Sequence, residues 1–121
     1  MQLVLASSSP YRRELLQRLG VPFLVDAPHV DESRSPAESP AALVARLAET
    51  KARAVGQRHR NALVIGSDQV AAFGSTILTK PGTRQRAIEQ LTAMRGGTAH
   101  FLTGICVFNT NTTRSQVAVE E

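Results

Sequence analysis

Leu5-Ala6-Ser7-Ser8-Ser9-Pro10-Tyr11-Arg12-Arg13-Glu14-Leu15-Leu16 decides how the chain begins to fold. A short apolar strand ends in three consecutive hydroxyls, and a proline then opens a helix with two arginines near its start. Ser9 suits the N-cap and Pro10 the first helical position, where a missing N–H costs nothing. The helix dipole, the free N–H groups and the serine hydroxyls converge there on a place for negative charge. An ordinary capped surface helix explains Ser9 and Pro10, but neither the two serines before them nor the paired arginines. The segment reads as a phosphate seat.

Working outward, Gln2 to Ala6 is the strand that feeds this turn, and Gly20 ends a helix running from Pro10 to about Leu19. Val21 to Ala27 is expected to be a second strand. Pro28 to Pro40 is polar and punctuated by prolines, as a functional loop would be, and it contains Asp31-Glu32. Ser39-Pro40 starts a second helix, with Leu43, Leu47, Thr50 or Lys51, and Ala54 at helical spacing and an end near Gly56. Ala62 to Ser67 reads as a short strand buried on both faces, which delivers Asp68-Gln69 at its carboxyl end. Ligands of open α/β sheets bind at such ends. Gly74-Ser75 marks a hairpin before Ile77 to Thr79, and Lys80-Pro81-Gly82 leads to Thr83 as the cap of a helix to about Met94. Gly96-Gly97 stops that helix. His100 to Asn109 and Gln116 to Val119 form a strand pair around a polar turn. With no repeat or linker in 121 residues, the expected organisation is one α/β domain over 1–121.

Composition narrows the function classes. The formal charge is +4, yet the basic residues are scattered, and Tyr11 and four phenylalanines are the only aromatic side chains that could stack on bases. A mildly basic solvated surface fits this better than a stable nucleic-acid partner. No apolar run has the length of a membrane span and Met1-Gln2-Leu3 lacks a basic start, so the expected setting is the cytoplasm, without a membrane partner. Cys106 is the only cysteine, which excludes an internal disulfide or a cysteine metal cluster and suits a buried strand position. Twelve basic residues are arginine and only Lys51 and Lys80 are lysine, so each lysine stands out as a place for a compact ammonium.

The three aspartates are at 26, 31 and 68, and the last two occupy loop and strand-end positions suited to a site. Asp31-Glu32 and Asp68 are candidate ligands for Mg²⁺ or Mn²⁺, which take carboxylate, phosphate and water oxygens. An aspartate at a buried strand end would equally serve to activate a water. Asp31-Glu32 also fits a solvated acid pair, whereas Asp68 after Ala62-Leu63-Val64-Ile65-Gly66-Ser67 needs a partner to be buried at all. Lys51, Lys80, Arg12 and Arg13 would surround a polyphosphate, the equipment of phosphoryl transfer. The glycine-rich loops of P-loop NTPases and dinucleotide enzymes are absent, as is a G-x-S-x-G nucleophile elbow. His29, His59 and His100 show no metal-ligand spacing.

The segments LASSSPYRRELL, VDE, AETKA, IGSDQV and TKPGT, in this order and spacing from residue 3 to beyond 105, resemble the signature set of the Maf-like nucleoside triphosphate pyrophosphatases. The resemblance implies an α/β domain of the Maf and inosine-triphosphatase-like architecture, a mixed sheet with flanking helices and a nucleotide cleft. It implies hydrolysis of a nucleoside triphosphate between the α- and β-phosphates, with a divalent cation as cofactor. Gln69 resembles the 7-methyl-GTP branch of the family, and the dTTP and UTP branch, typified by threonine there, is the runner-up.

Carried over by position, the resemblance makes Asp68 general base and metal contact, and Glu32 a second metal-site residue. Arg12 and Gln69 become specificity determinants, while Ser8, Ser9, Arg13, Lys51 and Lys80 hold the triphosphate. A role in clearing modified nucleotides follows from the same source. Family members continue well past the last strand, so 1–121 corresponds to the N-terminal part of the family's length. Sheet partners supplied by that later part would leave open edges here, which allows a homodimer or strand exchange. A non-catalytic nucleotide-binding or septum-regulating module is the competing class, separated from the enzyme by pyrophosphate release.

Overall fold

The computed structural model describes residues 1–33, 35, 37–74, 76–78, 83–93 and 95–121. The elements follow in the order β1 (Gln2–Ala6), α1 (Pro10–Gln17), β2 (Leu24–Asp26), α2 (Pro40–Gly56), β3 (Ala62–Phe73), β4 (Thr76–Leu78), α3 (Arg84–Ala93), β5 (Ala99–Asn109) and β6 (Arg114–Glu120). The strands form one mixed sheet in the order β2-β1-β3-β5-β6, with β4 paired to β3. This is the α/β class expected from the alternation of strand and helix. Pairing of β1 with β2 and β3 is parallel, and pairing of β3 with β5 and of β5 with β6 is antiparallel.

Two expectations change in detail. The second strand shrinks from Val21–Ala27 to Leu24–Asp26. The run Ala62–Ser67 does not stop before Asp68: β3 continues to Phe73, because Gln69 to Phe73 pair with Thr103 to Ala99 of β5. The parallel part of β3 does end near the predicted place, since Gly66 opposite Ala6 is the last register with β1. Asp68 therefore stands at the carboxyl end of the parallel segment while sitting in the middle of its own strand.

The core lies between one face of the sheet and α2. Val4, Ala6, Ala62, Val64, Cys106 and Phe108 meet Ala48, Ala52 and Val55 there, all of them buried. Burial pushes the Cys106 thiol up to about 11, so it behaves as a small apolar residue. Glycines let the helix lie close. A Cβ on Gly66 would stand 2.2 Å from the Ala48 carbonyl oxygen, and one on Gly104 2.3 Å from that of Val44. On the opposite face, Phe101, Ile105 and Val107 of β5 are exposed.

The short edge strand β2 is held by charge. Arg58, just beyond α2, donates from Nε and Nη2 to the two Asp26 carboxylate oxygens at 3.1 and 3.0 Å, and His59 Nε2 lies 2.8 Å from Oδ2. The Arg58 hydrogen bonds first, then His59, hold the Asp26 carboxyl below its ordinary range.

Gly66→Ala and Gly104→Ala should each lose at least about 3 kcal/mol in urea unfolding, because the obstacle is helix backbone that cannot rotate away. Gly20→Ala, at a φ of +72° in open space, should lose only the left-handed penalty of roughly 1–2 kcal/mol. The Asp26 clamp has a native pKa below its unfolded value, so its contribution is complete above about pH 4 and fades as pH falls through the lowered value. The stability gap between the wild type and Asp26→Asn should therefore be wide at pH 6 and close towards pH 3 in urea titrations.

Candidate functional site

The serine turn is built as its sequence suggests. Ser9 caps α1 from an extended conformation, and its Oγ accepts from the Arg12 N–H at 3.3 Å. Ser7, buried at the end of β1, accepts from the Ser9 N–H through its own Oγ at 3.0 Å. Two of the three hydroxyls thus shape the turn. Ser8 is exposed, and among the described residues its hydroxyl has no hydrogen-bond partner. Neither Arg12 nor Arg13 enters an ion pair among the described residues, which leaves both charges available at the start of the helix.

The two arginines open onto different cavities. Arg12 lines a small one of about 100 Å³ with Ser8, Ser9, Val30, Glu32 and Lys51. Arg13 lines a larger one of about 460 Å³ with the same serines, Gln17 and Val25. The serine turn is the wall between them.

Lys51 joins the loop acid to the strand acid. Its ammonium donates to Asp68 Oδ1 at 2.9 Å and lies 2.7 Å from Glu32 Oε1. Lys51 and Asp68 are 8% and 9% exposed, whereas the Glu32 side chain is 59% exposed. This difference ranks the two contacts. Removing one partner of a buried pair costs about 3–5 kcal/mol, while an exposed pair contributes roughly 0–1 kcal/mol. Lys51–Asp68 is therefore the structural pair, and Glu32 is a lightly held arm.

The other loop acid is spent on the loop itself. Asp31 Oδ1 accepts from the Ser33 N–H at 2.8 Å and from its hydroxyl at 2.5 Å, hydrogen bonds that lower its carboxyl. Of the pair Asp31-Glu32, only Glu32 faces the lysine. Arg46 on α2 clamps the same loop, donating to Glu38 from Nε and Nη2 at 2.7 and 2.9 Å and to the Ser33 carbonyl at 2.9 Å. Sequence reasoning did not single out Arg46, because an arginine on the polar face of a helix carries no mark of the loop it will grip.

Gln69 is exposed and, by strand alternation, leaves the sheet on the face opposite Asp68. The structure thus brings Ser8, Ser9, Arg12, Glu32, Lys51 and Asp68 to one end of the parallel strands, sets Arg13 on the far side of the turn, and does not bring Gln69 to the lysine. Lys80 lies outside the described residues. The carboxylates of Glu32 and Asp68 converge on a single positive centre, and their hard oxygen donors suit Mg²⁺ or Mn²⁺ if phosphate or water supplies the remaining ligands.

Lys51→Ala should lower unfolding stability by about 3–5 kcal/mol, and Glu32→Gln by less than about 1 kcal/mol, in the same denaturant series. Equal losses would mean that the loop acid is as deeply engaged as the strand acid.

Comparison with known proteins places these features in a family. The model of a family described as "Maf-like protein" matches residues 2–121. The chain is 59% identical over 118 residues to a protein of Nitrosococcus oceani named 7-methyl-GTP pyrophosphatase, covering 98% of this chain and 59% of that one. A protein of the same name from Alcanivorax borkumensis is 54% identical, with 98% and 60% covered. The chain thus spans about three fifths of the length of these curated relatives. Among solved structures, a nucleoside-triphosphatase, dITP/XTP pyrophosphatase, from Mycobacterium abscessus superposes with a TM-score of 0.62 at 15% identity, covering 99% of this chain and 71% of that one. A HAM1 protein from Coxiella burnetii gives 0.59 at 18% identity, with 98% and 69% covered. At these identities the structural likeness speaks for the fold alone.

Proposed function

The chain belongs to the Maf-like family, and from that membership we propose that it carries the nucleotide site of a metal-dependent nucleoside triphosphate pyrophosphatase with 7-methyl-GTP as leading substrate. The observation that carries the reading is the Glu32–Lys51–Asp68 cluster, with Glu32 and Lys51 on the same cavity as Arg12 and the serine turn. A polyphosphate and the acids that would manage its charge are thereby given one place.

In this reading Ser8, Ser9, Arg12, Arg13, Lys51 and Lys80 bind the triphosphate, the serines through their hydroxyls at the helix start. Glu32 and Asp68 would hold Mg²⁺ or Mn²⁺, which when bound neutralises phosphate charge. Asp68 takes a proton from the attacking water as its oxygen bonds to the α-phosphorus and the bond to the α–β bridging oxygen breaks. Pyrophosphate leaves against the arginines and lysines, and the nucleoside monophosphate remains. Gln69 carries an amide that both donates and accepts, which suits reading a base edge. Free nucleoside triphosphates are cytoplasmic metabolites, so the same reading puts the protein in the cytoplasm.

The test is a panel of 7-methyl-GTP, dTTP and UTP assayed for pyrophosphate with Mg²⁺, with Mn²⁺ and with excess chelator. Turnover of 7-methyl-GTP that the chelator abolishes is expected. Binding without pyrophosphate release would identify a sensor instead, and a preference for dTTP or UTP would move the chain to the other branch. Asp68→Asn should lower kcat by about two to four orders of magnitude while nucleotide still binds. Gln69→Thr should redistribute kcat/KM among the three nucleotides, and a uniform decrease would remove it from base recognition.

A further inference from the structure

Lys51 does more in this structure than phosphate binding requires. Its ammonium stands 2.7 Å from Glu32 and 2.9 Å from Asp68, between the two carboxylates read above as divalent-cation ligands. A cation shared by both acids would occupy the space that Nζ now fills. Two positive centres cannot occupy one gap between carboxylates, so the lysine and the metal exclude each other.

The surroundings make such an exchange workable. Asp68 is buried, and an unpaired carboxylate there would be costly, so the metal-free protein needs a cation of its own at this point. The lysine head is a compact charge on a four-carbon stem with freely rotating bonds. It opens onto the same small cavity as Ser8, Ser9 and Arg12, where a phosphate would offer it a new partner. Glu32 is the exposed and lightly held arm, free to follow either cation.

We propose that Lys51 is a placeholder cation, which pairs Glu32 with Asp68 while the metal is absent and is driven onto substrate phosphate when the metal enters. The proposal rests on the reading of Glu32 and Asp68 as metal ligands. It makes metal and phosphate mutually reinforcing, since each lowers the cost of moving the lysine for the other.

The test is a titration of the nucleotide-free full chain with Mn²⁺, following free Mn²⁺ by electron paramagnetic resonance. Lys51→Met keeps the buried stem and removes the charge, and it should bind Mn²⁺ at least about tenfold more tightly than the wild type. Equal or weaker binding overturns the proposal. Glu32→Gln added to Lys51→Met separates the two levels. If it weakens Mn²⁺ while Lys51→Met alone leaves affinity unchanged, the metal site stands and the placeholder falls. If it has no effect on Mn²⁺, the metal reading falls and takes the placeholder with it.

A measurement on the wild type guards against a misfolded variant. The chain has two lysines, so ¹⁵N-lysine labelling gives two side-chain ammonium signals. Mg²⁺ should shift the Lys51 signal from a protected, ion-paired position towards that of a water-exchanging ammonium. A Lys51 signal unmoved at saturating Mg²⁺ overturns the proposal.

Discussion

The distance between α2 and the sheet governs the rest of the molecule. Gly66 on β3 and Gly104 on β5 put no side chain of their own between sheet and helix, so the Ala48 and Val44 backbone rests almost directly on the sheet at these two points. Only at that separation does the buried stem of Lys51 end its reach at Asp68. The apolar contacts of Ala48, Ala52 and Val55 with Val4, Val64 and Cys106 supply the energy of the approach. The ion pair is therefore a consequence of close packing, and it makes the burial of a carboxylate tolerable where an unpaired one would not be.

Charges elsewhere divide into those committed to architecture and those left open. Arg58 is spent on Asp26, Arg46 on Glu38 and Ser33, and Arg53 on Glu49, Ser115 and the face of Phe108. Arg12 and Arg13 have no such partner among the described residues. In a chain with twelve arginines, composition cannot separate these groups. Position in the fold does, since Arg12 and Arg13 are the ones that line the cavities beside the serine turn.

Much of this was legible in the amino-acid order. Ser9 and Pro10 announce α1, Ser39 and Pro40 announce α2, and both serines cap as expected. Cys106 sits in the core of a strand, and the turn between β5 and β6 falls where the polar residues are. The length of β3 was not legible. Asp68-Gln69 looks like the end of an apolar strand, and its continuation depends on Ala99 to Thr103 of β5, distant partners whose pairing no local pattern encodes. The split between Asp31 and Glu32 was hidden for a similar reason. Neighbouring acids in a loop are equivalent on paper, and a hydrogen bond to Ser33 two residues later gives one to the turn and leaves the other for Lys51.

The site's parts also carry a kinetic meaning. Ser9, Glu32, Lys51 and Asp68 come from different elements or loops, and the strands that frame them pair across long sequence separations, β1 with β3 and β3 with β5. Closing such loops costs chain entropy before any contact repays it, so pairings of this kind slow folding relative to local helices. α1 and α2 are capped locally, whereas Lys51 meets Asp68 only through the docking of α2 on β3. The charged centre thus forms only when residues far apart in the chain have met, and its integrity reports that α2 has docked on β3.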